Sequence, residues 1–136
     1  MSKAQPTIQK YMTTQPYSIE PSESLPAALD AMKKWKIRHL PVVKGDEVVG
    51  ILSDRDIKMI EGFEDVETEH LCVADVCVDK PFIVEPDSKL VDVAKEMASK
   101  HYGSAIVAQN KKLVGILTTV DICRALTEIL ETRFHE

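Results

Sequence analysis

Cysteine is sparse in this sequence, and what there is makes no pattern. Cys72, Cys77 and Cys123 form no Cys-x-x-Cys pair and leave an odd count. That excludes a disulfide framework or a zinc ribbon and fits the reduced thiols of a cytoplasmic protein. The four histidines, at 39, 70, 101 and 135, lack metal-ligand spacing, so no metal is expected. No stretch approaches the roughly 20 apolar residues of a membrane span, and the start, Met1 to Pro6, lacks the apolar core of a secretory signal. Positive charge is in deficit as well: 17 Lys and Arg against 22 Asp and Glu leave a formal charge of −5. Such a balance carries no footprint for nucleic acid or for an anionic membrane surface. There is no Ser/His/Asp set, no acid/base pair of carboxylates and no Walker-type loop, so an enzyme is not expected.

Against these absences one feature is conspicuous. Gly50-Ile51-Leu52-Ser53-Asp54-Arg55-Asp56 returns 65 residues later as Gly115-Ile116-Leu117-Thr118-Thr119-Val120-Asp121. Pro16, Pro21, Leu25, Met32, Val42, Val49 and Ile57 have identical partners at the same offset, in Pro81, Pro86, Leu90, Met97, Val107, Val114 and Ile122. Fixed-period self-similarity means two copies of one supersecondary unit. The copies are expected over residues 8–62 and 70–131, with 1–7 and 132–136 as tails.

Each copy has the same predicted order. A short leading helix (Ile8, Tyr11, Met12; then Leu71 to Val76) precedes a brief strand, Tyr17 to Ile19 or Pro81 to Val84. Either Ser22 or Ser24 can cap the next helix, whose Leu25, Ala28, Leu29, Met32 and Trp35 fall at i, i+3, i+4, i+7 spacing and predict a core-facing stripe. His39 to Val43 and Val48 to Leu52 predict a hairpin about the Lys44-Gly45-Asp46-Glu47 turn. A closing helix follows from Ser53, or from Thr118 to about Thr132. The fold class is therefore α+β, two tandem β-α-β-β-α repeats. Three short strands bury too little surface to stand alone, so the copies are expected to share a core.

The runs Ile37-Arg38-His39-Leu40-Pro41-Val42-Val43 and Val49-Gly50-Ile51-Leu52-Ser53-Asp54-Arg55-Asp56-Ile57, with Val114 to Thr118 and Asp121-Ile122 in the second copy, resemble the cystathionine-β-synthase (CBS) domain. The second copy has Ser104-Ala105-Ile106-Val107 where that family often has Leu-Pro-Val. The resemblance covers about residues 8–131 and implies a CBS-domain pair. It further implies packing about a pseudo-two-fold axis, with two inter-repeat clefts for adenosine compounds: AMP above all, or ADP, ATP, NAD or S-adenosylmethionine. It implies a homodimer that regulates a separate effector protein, and no obligatory cofactor. The alternative is a dimerisation or scaffold module whose clefts stay empty.

The residues suit that chemistry. Gly50 and Gly115 lack a Cβ, so a ligand or backbone can approach closely. Ser53 and Thr118 open helices whose N–H groups favour phosphate. Asp56 and Asp121, three residues on, are acceptor-only groups able to take both hydroxyls of a ribose. Simple capping produces the same Ser-x-x-Asp and Thr-x-x-Asp patterns. Arg38 and Arg55 stand where the family often contributes phosphate contacts, though they serve equally as solvated charges; their counterparts, Gly103 and Val120, are uncharged. The first site should therefore favour phosphate and the second stacking and ribose contacts. His39 is expected at a cleft edge, at the position that Ser104 matches in the second copy. Thr13, Tyr17 and Phe82 are candidates to face adenine, with Ile51 and Ile116 lining the clefts. Tyr17 and Phe82 fit the core equally well, and Val78 and Asp79 are weaker candidates.

Overall fold

The computed structural model describes residues 4–134; positions 1–3 and 135–136 of the expected tails lie outside the described residues. The elements run β1 (Thr13–Thr14), α1 (Leu25–Trp35), β2 (His39–Lys44), β3 (Glu47–Ser53), α2 (Asp54–Glu61), α3 (Val73–Val76), β4 (Ile83–Val84), α4 (Leu90–Lys100), β5 (Ser104–Gln109), β6 (Lys112–Thr118) and α5 (Thr119–Arg133). Turns of 3-10 helix occupy Ile8–Lys10 and Thr68–His70. The mixed α+β class and the tandem order agree with the sequence.

The chain forms two compact units. One holds residues 16–81 with 111–113; the other holds 4–15, 82–110 and 114–134. The units are not coextensive with the sequence repeats, because the leading segment of each repeat is built into the unit of the other.

In the first unit β2 and β3 make the expected antiparallel hairpin, His39 opposite Ser53 and Val42 opposite Gly50, with an irregularity between Val42 and Val43. Ile19 bridges Val42 in parallel on one side, and Val78 bridges Ile51 antiparallel on the other. The Tyr17–Ile19 strand thus shrinks to one bridge, since flanking Pro16 and Pro21 have no N–H to extend a ladder. Ser24 caps α1, its Oγ accepting the Ala27 N–H at 3.1 Å. Leu25, Ala28 and Met32 face Leu40, Val42, Leu52, Ile57 and Val73 in an aliphatic core. Residues 71–78 dock at the head of α1: Leu25 N–H donates to Leu71 O, Val73 N–H to Glu23 O and Ala74 N–H to Pro21 O, at 3.1, 2.8 and 3.0 Å.

The second unit repeats these backbone docking bonds at the 65-residue offset, though Lys89 provides no counterpart of the Ser24 cap. Leu90 N–H donates to Pro6 O, Ile8 N–H to Ser88 O and Gln9 N–H to Pro86 O, at 2.9, 2.9 and 3.2 Å. Its strands run β1-β6-β5-β4, with Thr13 opposite Ile116 and Ile83 beside Ile106. Ile8, Leu90, Val93, Met97, Ala105, Val107, Leu117 and Ala125 form its core. Ile8 and Val73, equivalent knobs from opposite repeats, are both fully buried.

Trp35 departs from the expected core stripe. It lies in the last turn of α1, 39% exposed, and stacks on Tyr17 with ring centroids 3.9 Å apart. Lys36 and His101 then take the left-handed conformation that ends α1 and α4.

Candidate functional site

In the first unit, strand register brings Arg38, His39, Ile51, Ser53, Arg55 and Asp56 to one end of the hairpin. The Arg38 carbonyl accepts the Asp54 N–H at 2.9 Å, tying the strand start to the head of α2. Ser53 and Asp56 form a reciprocal capping box: Ser53 N–H donates to Asp56 Oδ2, and Asp56 N–H to Ser53 Oγ, both at 3.1 Å. Two of the first three helical amides are thereby occupied. Asp56 Oδ1 takes no hydrogen bond, and Arg38 and Arg55 make no ion pair, among the described residues. Both arginines are exposed.

Gly50 sits against the docked segment from the other repeat. A Cβ there would come within 2.7 Å of Val78 O and 3.1 Å of Cys77 Sγ. Close approach of backbone, rather than of a ligand, is what the absent side chain permits at this point. Val78 and Ile51 exchange two hydrogen bonds of 2.9 and 3.0 Å just beyond it.

His39 is partly buried at the strand end opposite Ser53. Burial pushes its pKa below the ordinary value; Asp54 and Asp56 pull it upward, and Arg38 adds to the lowering. The unfolded chain therefore takes up the proton first as pH falls, so folded-state stability declines from about pH 6.5 down through the lower folded value. Replacing His39 with Gln should flatten that decline, read from urea unfolding at about pH 7, 6 and 5. Parallel curves for the two proteins would contradict the assignment.

The second unit places Thr13, Gly103, Ser104, Ile116, Thr118 and Asp121 in the equivalent arrangement. The Gly103 carbonyl accepts the Thr119 N–H at 3.2 Å. Thr118 and Asp121 repeat the capping box, with Thr118 N–H to Asp121 Oδ2 at 2.9 Å and Asp121 N–H to Thr118 Oγ1 at 3.3 Å. Thr118 Oγ1 adds a donor to Oδ2 at 3.1 Å, and Thr13 Oγ1 reaches Oδ1 and Oδ2 at 3.2 and 3.3 Å. Asp121 is 3% exposed, and Arg124 Nη1 lies 3.6 Å from its Oδ1.

Tyr17 and Phe82, the aromatic candidates, each lie against another ring. Tyr17 stacks on Trp35, and Phe82 on Tyr102 at 5.2 Å between centroids. Trp35, expected in the core, and Tyr102 are the rings they meet. Elsewhere Glu67, Glu69 and His70 bring three metal-capable atoms within 4.8 Å of one another, all on exposed side chains. His70 Nε2 already meets Glu67 Oε2 at 3.0 Å. No helix among the described residues is long and apolar enough to cross a membrane.

Comparison with known proteins gives a consistent picture. The CBS domain family model matches residues 8–60 and 73–128. An inosine-5'-monophosphate dehydrogenase of Staphylococcus haemolyticus is 30% identical over 117 residues, 83% of this chain but 23% of that enzyme. The chain thus spans under a quarter of the dehydrogenase. Among solved structures, CBSX2 in complex with AMP is 26% identical with a TM-score of 0.81, covering 90% of this chain and 97% of that one; CBSX2 is a CBS-pair protein of Arabidopsis thaliana. The CBS-domain pair of MJ0100, solved with 5'-methylthioadenosine and S-adenosylmethionine, shares the fold at 20% identity and TM-score 0.84, over 93% of this chain and 99% of that one.

Proposed function

This chain belongs to the CBS domain family, and from that premise we propose that it is a non-catalytic regulatory module that binds an adenosine ligand, AMP in the first instance, and modulates a separate effector protein. The observation carrying the proposal is Asp56. It is set by its capping box with Ser53 and keeps one carboxylate oxygen free of protein donors among the described residues. A ribose diol supplies the two donors such a group lacks. Arg38 and Arg55, exposed and without ion-pair partners among the described residues, are the phosphate contacts of this reading, with His39 and Ile51 beside them. The AMP complex of CBSX2 supports the choice of ligand. ADP, ATP, NAD and S-adenosylmethionine share its adenosine and are the competing occupants.

Self-association belongs to the same proposal. On α5 the residues Leu126 and Leu130 are 55% and 47% exposed, while Ile122 and Ile129 on the same face are half-buried. A second copy would cover this stripe, and sedimentation at tens of micromolar reads it.

A thermal-shift series with AMP, ADP, ATP, NAD, S-adenosylmethionine and GTP tests the ligand reading. A true ligand at 100 times its Kd adds about 2.7 kcal/mol to folding and raises the midpoint. Adenosine compounds should do so and GTP should not. A flat response to all of them would favour the alternative, a ligand-free dimerisation scaffold.

A further inference from the structure

Asp56 and Asp121 stand at equivalent positions of the two repeats, yet their carboxylates are differently engaged. Asp121 receives the Thr118 N–H at 2.9 Å, the Thr118 hydroxyl at 3.1 Å and the Thr13 hydroxyl at 3.2 and 3.3 Å, with the Arg124 guanidinium at 3.6 Å. About four lone-pair sites serve a carboxylate; three donated protons engage those of Asp121, the Thr13 proton lying between both oxygens. Only 3% of Asp121 is exposed. Asp56 is half-buried and receives the Ser53 N–H alone.

Arg124 has Met59 as its counterpart, and the hydroxyl that reaches Asp121 from the neighbouring strand traces to Thr13. Thr13 pairs with Ile116 in the second unit, and the residue 65 positions later, Val78, pairs with Ile51 in the first. The two hold the same place on the sheet, but valine has no hydroxyl to donate. We propose that Thr13 closes the Asp121 position to a ribose diol, so that each chain takes one adenosine ligand, at Asp56. Thr13 thereby determines stoichiometry, and Val78 keeps the other position open. The inference rests on the adenosine-binding reading above and deepens it.

Calorimetry with AMP on the full chain tests it. Wild type should show one site per chain, lost in Asp56→Ala. Thr13→Val should show two sites, while Thr13→Ser, which keeps the hydroxyl, should show one. Val78→Thr should weaken the remaining site about tenfold or more, as a diol competes with a built-in donor. Two sites in wild type, or one site in a folded Thr13→Val protein, would overturn the inference while leaving adenosine binding intact. Silence from every variant toward AMP and S-adenosylmethionine would instead overturn the adenosine reading, and this inference with it. A ligand-free check accompanies the titration. Loss of unfolding midpoint in Thr13→Val/Asp121→Asn should be smaller than the sum of the single losses, and additive losses would show that the two side chains do not interact.

Discussion

Asp121→Ala is expected to destabilise the protein by about 2–4 kcal/mol, whereas the equivalent Asp56→Ala should cost about 1 kcal/mol. Both changes remove a capping-box carboxylate from the N-terminus of a helix, and capping alone accounts for about 1 kcal/mol. The further loss at Asp121 comes from donors left without an acceptor. Thr13 and Thr118 hydroxyls and the Thr118 N–H all converge on that carboxylate, which is 3% exposed. Thr118 is half-buried, and a donor left unpaired there costs about 1–3 kcal/mol, whereas the hydroxyl of exposed Thr13 can turn to water. Stability of a domain is only about 5–15 kcal/mol in total, so the change should be plain in urea midpoints at neutral pH. Equal losses in the two variants would contradict the difference in their surroundings.

Gly50→Ala is the second large effect, at about 2–4 kcal/mol. The new Cβ would sit 2.7 Å from the Val78 carbonyl, a backbone atom that can retreat only by opening the Ile51–Val78 pair. Gly115→Ala makes an instructive comparison. Its nearest neighbour is the Met12 sulfur at 2.8 Å, with the Thr13 carbonyl at 3.0 Å. Methionine is unbranched and can move aside, so this change should cost less, about 1–2 kcal/mol. Hydrogen exchange at the Ile51 and Val78 amides would register the opening in Gly50→Ala. Unaltered protection there, with stability retained, would contradict the close approach.

Much of this was legible in the sequence, for definite reasons. The 65-residue period, the Leu25-Ala28-Met32 stripe and the hairpin about Gly45 are local patterns, and helices and hairpins are set by local patterns. The exchange of leading segments was not legible. Pro6 and Leu71 are equivalent, as are Leu25 and Leu90, so pairing within a repeat and pairing between repeats satisfy the same pattern. Units of like pattern make the two topologies indistinguishable until long-range contacts are seen. Trp35 misled because its spacing continues the stripe. The register places it at the end of the helix, where Tyr17 covers one face and Lys34 Nζ lies 4.8 Å from the ring centre. The Thr13–Asp121 contact joins residues 108 apart, beyond the reach of any periodicity.

At the site, the motif reading identified the residue types and their spacing, and the environment supplied what distinguishes them. Ser53 and Thr118 each cap a helix, with Asp56 and Asp121 bonding back. Capping and ligand binding were the open alternatives for this pattern. Capping is present in both copies, and at Asp56 it leaves acceptor capacity in reserve.

The central claim is that Asp56 holds the ribose of an adenosine ligand. Its most direct measurement is calorimetry of AMP, 2'-deoxy-AMP and 3'-deoxy-AMP against wild type and Asp56→Ala. An unmet hydrogen bond costs about 1–3 kcal/mol, or roughly tenfold in Kd for each 1.4 kcal/mol. The account predicts that AMP binds wild type about tenfold or more tightly than either deoxy analogue, and that the three converge on weak binding in Asp56→Ala. Equal affinity of wild type for all three nucleotides, or unchanged AMP binding in a folded Asp56→Ala protein, would contradict it.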